Sequence, residues 1–202
     1  MAAVFPGQAG LLLLSFLAGG IPTGYLVVWR LKGFDIRERG SGNPGTANVY
    51  RTAGKTAGAV TLLVDALKGW LPVLAAAHAY PGLTWLHILV GAAAVIGHDW
   101  TPFLGFKGGK GVATSAGVFL ALCPWAMAGT IAVFALCVWR TGHISVGSMV
   151  GAAALPFFCW AAGAPGPVTL FAAGAALLIL YKHIPNLKRL RENRELFLHE
   201  KK

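Results

Sequence analysis

Residues 112–139 read VATSAGVFLALCPWAMAGTIAVFALCVW, and the number of times this stretch crosses a bilayer decides the fold. As one helix it would run about 42 Å at 1.5 Å per residue, against a hydrocarbon core of about 30 Å. Split at Pro124, each half is short of the roughly 20 residues of a full crossing. The basic residues choose between the two. Two passes place Arg30, Lys32, Arg37, Arg39, Arg51, Lys55, Lys107, Lys110, Arg140 and the tail from Lys182 to Lys202 on one face, and of the 17 Lys and Arg residues only Lys68 then lies inside a span. Basic residues accumulate on the cytoplasmic side of membrane proteins, so the split is preferred.

Working outward, the apolar segments predict an all-α polytopic bundle of about seven transmembrane helices, near 9–29, 56–79, 83–98, 112–123, 125–139, 144–162 and 168–181. The N-terminus is expected outside and the C-terminus in the cytoplasm. Pro22, inside Gly19-Gly20-Ile21-Pro22-Thr23-Gly24, predicts a kink in the first span. Tyr80-Pro81-Gly82 and residues 163–167 read as outer turns. Gly20/Gly24, Gly54/Gly58 and Gly147/Gly151 have the spacing that lets helices approach closely. Leu187, Leu190 and Phe197, set among basic residues, read as an interfacial amphipathic helix in the tail. The chain is expected to be one domain over 1–202.

Composition agrees. The chain is 56% hydrophobic and 12% charged, with a mean hydropathy of +0.64, where a soluble domain carries roughly 25% charged residues. The net charge of +10 would suggest nucleic acid in a soluble protein. In this one it faces anionic headgroups, and no nucleic-acid partner is expected. The first basic residue, Arg30, follows the first apolar run, so that run reads as a retained span and not a cleaved signal. Cys123, Cys137 and Cys159 all fall in apolar segments without a CxxC or Cys/His cluster, which argues against a disulfide framework or a zinc site.

Three polar clusters fall on the cytoplasmic face. The first is Gly40-Ser41-Gly42-Asn43-Pro44-Gly45-Thr46-Ala47-Asn48, with Arg51 beyond. Its GxGxxG spelling lacks the preceding strand of a dinucleotide fold. Its glycines still let backbone N–H groups converge on an anion, with Ser41 and Asn43 as neutral donors and Arg51 as a bidentate clamp. The second runs Gly97-His98-Asp99-Trp100-Thr101-Pro102-Phe103-Leu104-Gly105-Phe106-Lys107-Gly108-Gly109-Lys110-Gly111-Val112-Ala113-Thr114. It fails as a nucleotide P-loop, because Leu104 stands at the first glycine and Gly111 at the magnesium-binding hydroxyl. A Gly/Lys nest suited to phosphate remains. The third is His183-Ile184-Pro185-Asn186, with Glu195 further on; an imidazole is the side chain suited to proton transfer near neutral pH. Asp65 and Lys68 share a helix face at i,i+3. Unpaired at mid-membrane each would cost about 2.5–3.5 kcal/mol, so they are expected to pair. Ser145 and Ser148 begin the sixth span at the inner face. Two anion cradles and a possible base beside a lipid-filled bundle suggest a reaction between a phosphorylated polar substrate and a lipidic one.

The three clusters, in order, resemble the three motifs of the bacterial acyl-phosphate:glycerol-3-phosphate acyltransferases: Ser41-Gly42-Asn43 through Asn48 and Arg51, Gly97-His98 through Lys107-Gly108-Gly109-Lys110 to Thr114, and His183-xx-Asn186. The Gly20-Ile21-Pro22 kink and Asp65-xx-Lys68-Gly69 belong to the same resemblance, which covers essentially the whole chain. One departure is Asn193, where the family pattern has glycine. The resemblance implies transfer of a fatty acyl group from acyl phosphate to the sn-1 hydroxyl of glycerol 3-phosphate, giving lysophosphatidic acid and phosphate. It implies the bacterial inner membrane with a cytoplasmic active site, no metal, no cofactor, and no acyl-CoA or carrier protein. It assigns catalysis to Ser41, Arg51, His183 and Asn186. It assigns substrate and phosphate binding to Gly42, Asn43, Gly45, Asn48, Lys107, Gly108, Gly109, Lys110 and Ser148. The hydroxyl proton goes either to His183 or to a substrate phosphate oxygen. The HxxxxD signature of other glycerolipid acyltransferases is absent. Two other classes compete. A phosphate-solute transporter would need outer sites, yet the outer loops are short and carry no Lys or Arg. A regulatory membrane subunit would use the basic loops only to hold anionic lipid.

Overall fold

The structure is a computed structural model that describes residues 6–198; Lys201 and Lys202 of the basic tail lie outside the described residues. The described chain forms helices α1 (Pro6–Gly20), α2 (Thr23–Lys32), α3 (Thr46–Ala53), α4 (Lys55–Ala79), α5 (Thr84–Asp99), α6 (Val112–Leu122), α7 (Pro124–Thr141), α8 (Ile144–Ala161), α9 (Gly166–Lys182) and α10 (Ile184–Arg191). It divides into two compact units, one ending at Leu122 and one starting at Cys123. The 112–139 stretch is therefore two helices. Cys123 is the N-cap of α7 and Pro124 its first residue, the position where a missing N–H and a fixed φ suit a helix start.

In the first unit α1 and α2 are one apolar run broken at Pro22, which has no N–H to continue the ladder. At the break, side chains from distant segments donate to carbonyls, and Ile21 O also accepts the local Thr23 N–H at 2.9 Å. Thr101 Oγ1 donates to Gly20 O at 2.5 Å and Lys68 Nζ to Ile21 O at 2.8 Å. α1 packs on α5, where Ser15 Oγ donates to Val90 O at 2.8 Å. Gly97 sits so close to α1 that a Cβ there would run into the Phe16 carbonyl. The connection after α2 folds down on Val28, Ile36, Val49 and Ala57. That small core fixes a segment whose sequence reads only as a polar loop. It also contains α3, which the hydropathy pattern did not single out.

In the second unit α7 packs on α8 and α8 on α9. The tail departs from the expected amphipathic helix. α10 ends at Arg191, and Asn193 takes a left-handed φ of 54° that turns the chain back. Phe197 then stacks on His143 with ring centroids 4.3 Å apart, and Leu198 N–H donates to Gly142 O at 2.8 Å. Only Leu187 and Leu190 belong to a helix.

Large apolar side chains point outward in both units: Leu13, Leu62 and Leu63 in the first, Trp125, Trp139, Leu170 and Leu177 in the second. Such belts suit hydrocarbon. Among the described residues, three runs are long and apolar enough to cross a membrane, Gly7–Lys32, Lys55–Ala79 and Ile144–Ala161, and a fourth is if α9 and α10, bent by 52°, count as one. All seven predicted segments are helical. α6, with 11 residues, reaches only about 16 Å.

Gly97→Ala should lower stability by about 1–3 kcal/mol, the range for an overpacked contact, seen as a lower midpoint of thermal unfolding in detergent.

Candidate active site

The first cluster is a loop that satisfies itself. Ser41 N–H donates to Asn48 Oδ1 at 2.9 Å, Gly42 N–H to Arg39 O at 3.0 Å and Gly45 N–H to Asn43 Oδ1 at 2.9 Å. Asn48, 1% exposed, donates through Nδ2 to Arg39 O at 2.9 Å and Ile36 O at 3.3 Å. The expectation that Gly42 and Gly45 turn their N–H groups toward an anion thus meets a different geometry, in which those groups hold the loop closed. Asn48 is the internal clamp. The half-buried hydroxyl of Ser41, the amide of Asn43 and Arg51 on α3 remain at the loop's polar edge.

The second cluster follows the same rule. Gly109 N–H donates to His98 O at 3.0 Å and Gly108 N–H to Asp99 O at 3.3 Å, so the glycine pair is tied to the end of α5. A Cβ on Gly109 would collide with the His98 ring. Glycine at this position lets the backbone lie against the imidazole and sets where Lys107 and Lys110 leave the loop. Lys107 is exposed and Lys110 half-buried.

These segments border one cleft. Its wall includes Ile21, Pro22 and Gly24 at the helix break, Pro44, Asp65 and Lys68 of α4, and His98, Thr101, Gly108 and Gly109. Asp65 and Lys68 form the expected pair, with Nζ 2.8 Å from Oδ1 and both side chains buried. His98 Nδ1 lies 3.9 Å from the same oxygen. The pair forms as its i,i+3 spacing predicts, while His98, read only as part of the second cluster, was given no role of its own. The signal available was two opposite charges one helical turn apart inside an apolar span. Ser41, Asn43 and Arg51 are not among the lining residues.

The third cluster is built within the second unit. His183, 3% exposed, has Nδ1 2.8 Å from Ile179 O. A carbonyl only accepts, so Nδ1 carries a proton. Asn186 Nδ2 donates to Glu195 Oε1 at 2.6 Å and Arg189 Nε to Glu195 Oε2 at 2.7 Å. The buried carboxylate therefore fixes which way the Asn186 amide faces. Burial raises the Glu195 pKa, but hydrogen bonds from Asn186 and Arg189, with the Ser145 hydroxyl nearby, outweigh it and hold the carboxyl below its ordinary value. Ser145 Oγ acts through proximity, since it makes no formed hydrogen bond. Ser148 Oγ donates back to Ile144 O at 2.9 Å, which leaves its oxygen as an acceptor only.

Comparison with known proteins adds to this geometry. A family model described as glycerol-3-phosphate acyltransferase matches residues 9–193. The chain is 46% identical over 181 residues to the glycerol-3-phosphate acyltransferase of Geobacter sulfurreducens, covering 90% of this chain and 92% of that protein. It is 45% identical over 190 residues to glycerol-3-phosphate acyltransferase 2 of Moorella thermoacetica, covering 94% and 97%. The crystal structure of PlsY (YgiH), an integral membrane glycerol 3-phosphate acyltransferase, in its glycerol 3-phosphate form superposes with a TM-score of 0.90 at 35% identity over 95% of each chain. The lysophosphatidic acid form gives 0.87 at 34% identity, again over 95% of each.

Glu195 generates a pH test. Its carboxyl titrates at 4.5 ordinarily and lower when folded, so on acidification the unfolded chain takes the proton first. The stability it contributes is complete above about 4.5 and is lost as pH falls through the lowered folded value. Thermal midpoints of the wild type should therefore drop more steeply on acidification below that point than those of Glu195→Gln. Parallel curves would show that the carboxylate carries no such linkage.

Proposed function

We propose a specific reaction for this chain, which belongs to the glycerol-3-phosphate acyltransferase family: transfer of a fatty acyl group from an acyl phosphate to the sn-1 hydroxyl of glycerol 3-phosphate. It is an integral membrane acyltransferase, and its product is lysophosphatidic acid. The acyl carbon gains a bond to the sn-1 oxygen and loses its bond to the phosphate oxygen. Inorganic phosphate leaves with the bonding electrons.

An acyl phosphate is a mixed anhydride with a good leaving group. The protein's work is then to hold two anionic substrates together and offset their repulsion. Arg51, Lys107 and Lys110 meet the phosphate groups, with the Ser41 hydroxyl and the Asn43 amide beside them. Gly42, Gly45, Gly108, Gly109 and Asn48 shape the two loops that present those groups. His183 and Asn186 orient the glycerol 3-phosphate, and the Ser148 oxygen accepts from a substrate hydroxyl. The observation that carries this reading is the third cluster: a buried imidazole whose Nδ1 is committed to Ile179 O, beside an amide locked by Glu195. The hydroxyl proton leaves either to His183 Nε2 or to a phosphate oxygen of a substrate.

The whole chain works as one acyltransferase domain, supported by a single family model that spans both compact units. The one-sided placement of Lys and Arg supports seven crossings, an outer N-terminus and an active site on the cytoplasmic face of a bacterial cytoplasmic membrane. In a cysteine-free background, Ala164→Cys should react with an impermeant maleimide in intact cells, and Lys188→Cys only after permeabilisation. The reverse pattern would invert the topology.

Acyl transfer is tested with purified protein in lipid, labelled glycerol 3-phosphate, and palmitoyl phosphate or palmitoyl-CoA in parallel. Label should enter the lipid extract with the acyl phosphate alone. Arg51→Ala should lower kcat/KM by about 100-fold, near the cost of losing a buried charged contact. His183→Ala separates the two proton acceptors. A kcat loss of several orders of magnitude assigns the base to His183, and a change confined to KM assigns it to a substrate phosphate.

A further inference from the structure

We propose that the buried Asp65–Lys68 ion pair is a positioning device for acyl transfer, setting the place of the glycine–lysine loop through His98 and the broken helix. This rests on the acyltransferase reading above. Lys68 Nζ donates a hydrogen bond to Ile21 O at 2.8 Å and forms an ion pair with Asp65, 2.8 Å from its Oδ1. The same Asp65 oxygen lies 3.9 Å from His98 Nδ1. His98 in turn carries the loop: its carbonyl accepts Gly109 N–H at 3.0 Å, and its ring occupies the space a Cβ on Gly109 would need. Three residues further on, Thr101 ties the same loop to Gly20 O at 2.5 Å.

One buried charge pair thus holds both sides of the cleft, the helix break through Lys68 and the loop through Asp65 and His98. Lys107 and Lys110 flank the glycine pair so anchored. A purely structural pair would have a weak rationale here, because replacing a buried ion pair by apolar residues of similar volume is often neutral or stabilising. What the pair adds over apolar packing is a hydrogen bond from Lys68 to Ile21 O and a polar contact from Asp65 to the His98 ring, and both reach elements bordering the cleft. Displacing a substrate-holding group by about 1 Å can cost about 100-fold in rate.

The test is the double variant Asp65→Leu/Lys68→Met, whose apolar side chains keep the span foldable, compared with wild type in the acyl phosphate assay and by hydrogen exchange of the Gly108 and Gly109 amides. We expect kcat per folded molecule to fall about 100-fold and exchange of those amides to quicken at least about 10-fold, with the thermal midpoint little changed. Wild-type kcat in the folded variant overturns the proposal, even if its midpoint drops, because a packing role changes stability and not turnover. Should the double variant fail to fold, Asp65→Asn, which keeps the shape and removes the charge, is expected to lose about 10-fold in kcat. Unchanged turnover there overturns the proposal as well. If wild type itself transfers no acyl group, the acyltransferase reading fails, and amide exchange alone decides positioning: unchanged protection in the variant overturns it.

Discussion

The first unit depends on the need to satisfy backbone carbonyls where an apolar helix is broken. Lipid offers them no donor, and an unsatisfied polar group in hydrocarbon costs several kcal/mol. Pro22 has no N–H to continue the helix. At the break Gly20 O accepts from Thr101, and Ile21 O accepts from Lys68 besides the local Thr23 N–H. A hydroxyl from the segment after α5 and an ammonium from α4 are thereby drawn to one point. Lys68 cannot remain at an apolar level without a counter-charge, which accounts for Asp65 one turn earlier on the same face. The cleft is bordered by the groups that repair the break.

A second constraint governs the loops. Glycine-rich segments read as anion cradles because their N–H groups are free to converge. In both loops the N–H groups of Ser41, Gly42, Gly45, Gly108 and Gly109 are directed inward, to Asn48, Arg39, Asn43, Asp99 and His98. The glycines buy tight closure of the loop in place of direct donation. In the proposed reaction, anion recognition then falls to groups on the closed loops, guanidinium, ammonium, hydroxyl and amide. These charge-assisted donors are the stronger ones for phosphate. A closed loop also loses less conformational freedom on binding than an open nest.

Much of this was legible in the sequence because it rests on local rules. Helix boundaries at Pro22 and Pro124 follow from proline chemistry, and the Asp65–Lys68 pair follows from i,i+3 spacing and the cost of lone charges in a span. What was not legible depends on contacts between residues distant in the chain. Nothing near Asn48 announces that its amide will hold Arg39 O and the Ser41 N–H. Nothing near His98 announces that its ring will support Gly109. α3 was missed because its eight residues are too few for a hydropathy window, and it is held by Val28, Ile36, Val49 and Ala57 packing together.

The tail shows how one residue redirects a periodic pattern. Leu187, Leu190 and Phe197 share near-helical spacing, and a helix through all three would lie flat at an interface. Asn193 prevents it by adopting φ 54°, a left-handed conformation that costs most residues roughly 1–2 kcal/mol and that asparagine tolerates best after glycine. The resemblance leads to an expectation of glycine there, and asparagine can hold the same backbone state while changing the side chain. The reversal brings Glu195 under Asn186 and beside Arg189. A continuous helix would have carried that carboxylate into solvent or lipid and left the Asn186 amide without the acceptor that fixes its orientation. Glycine and asparagine are thus equivalent at this position for a physical reason. What the third motif needs from residue 193 is a turn, and the carboxylate two residues later is what the turn delivers.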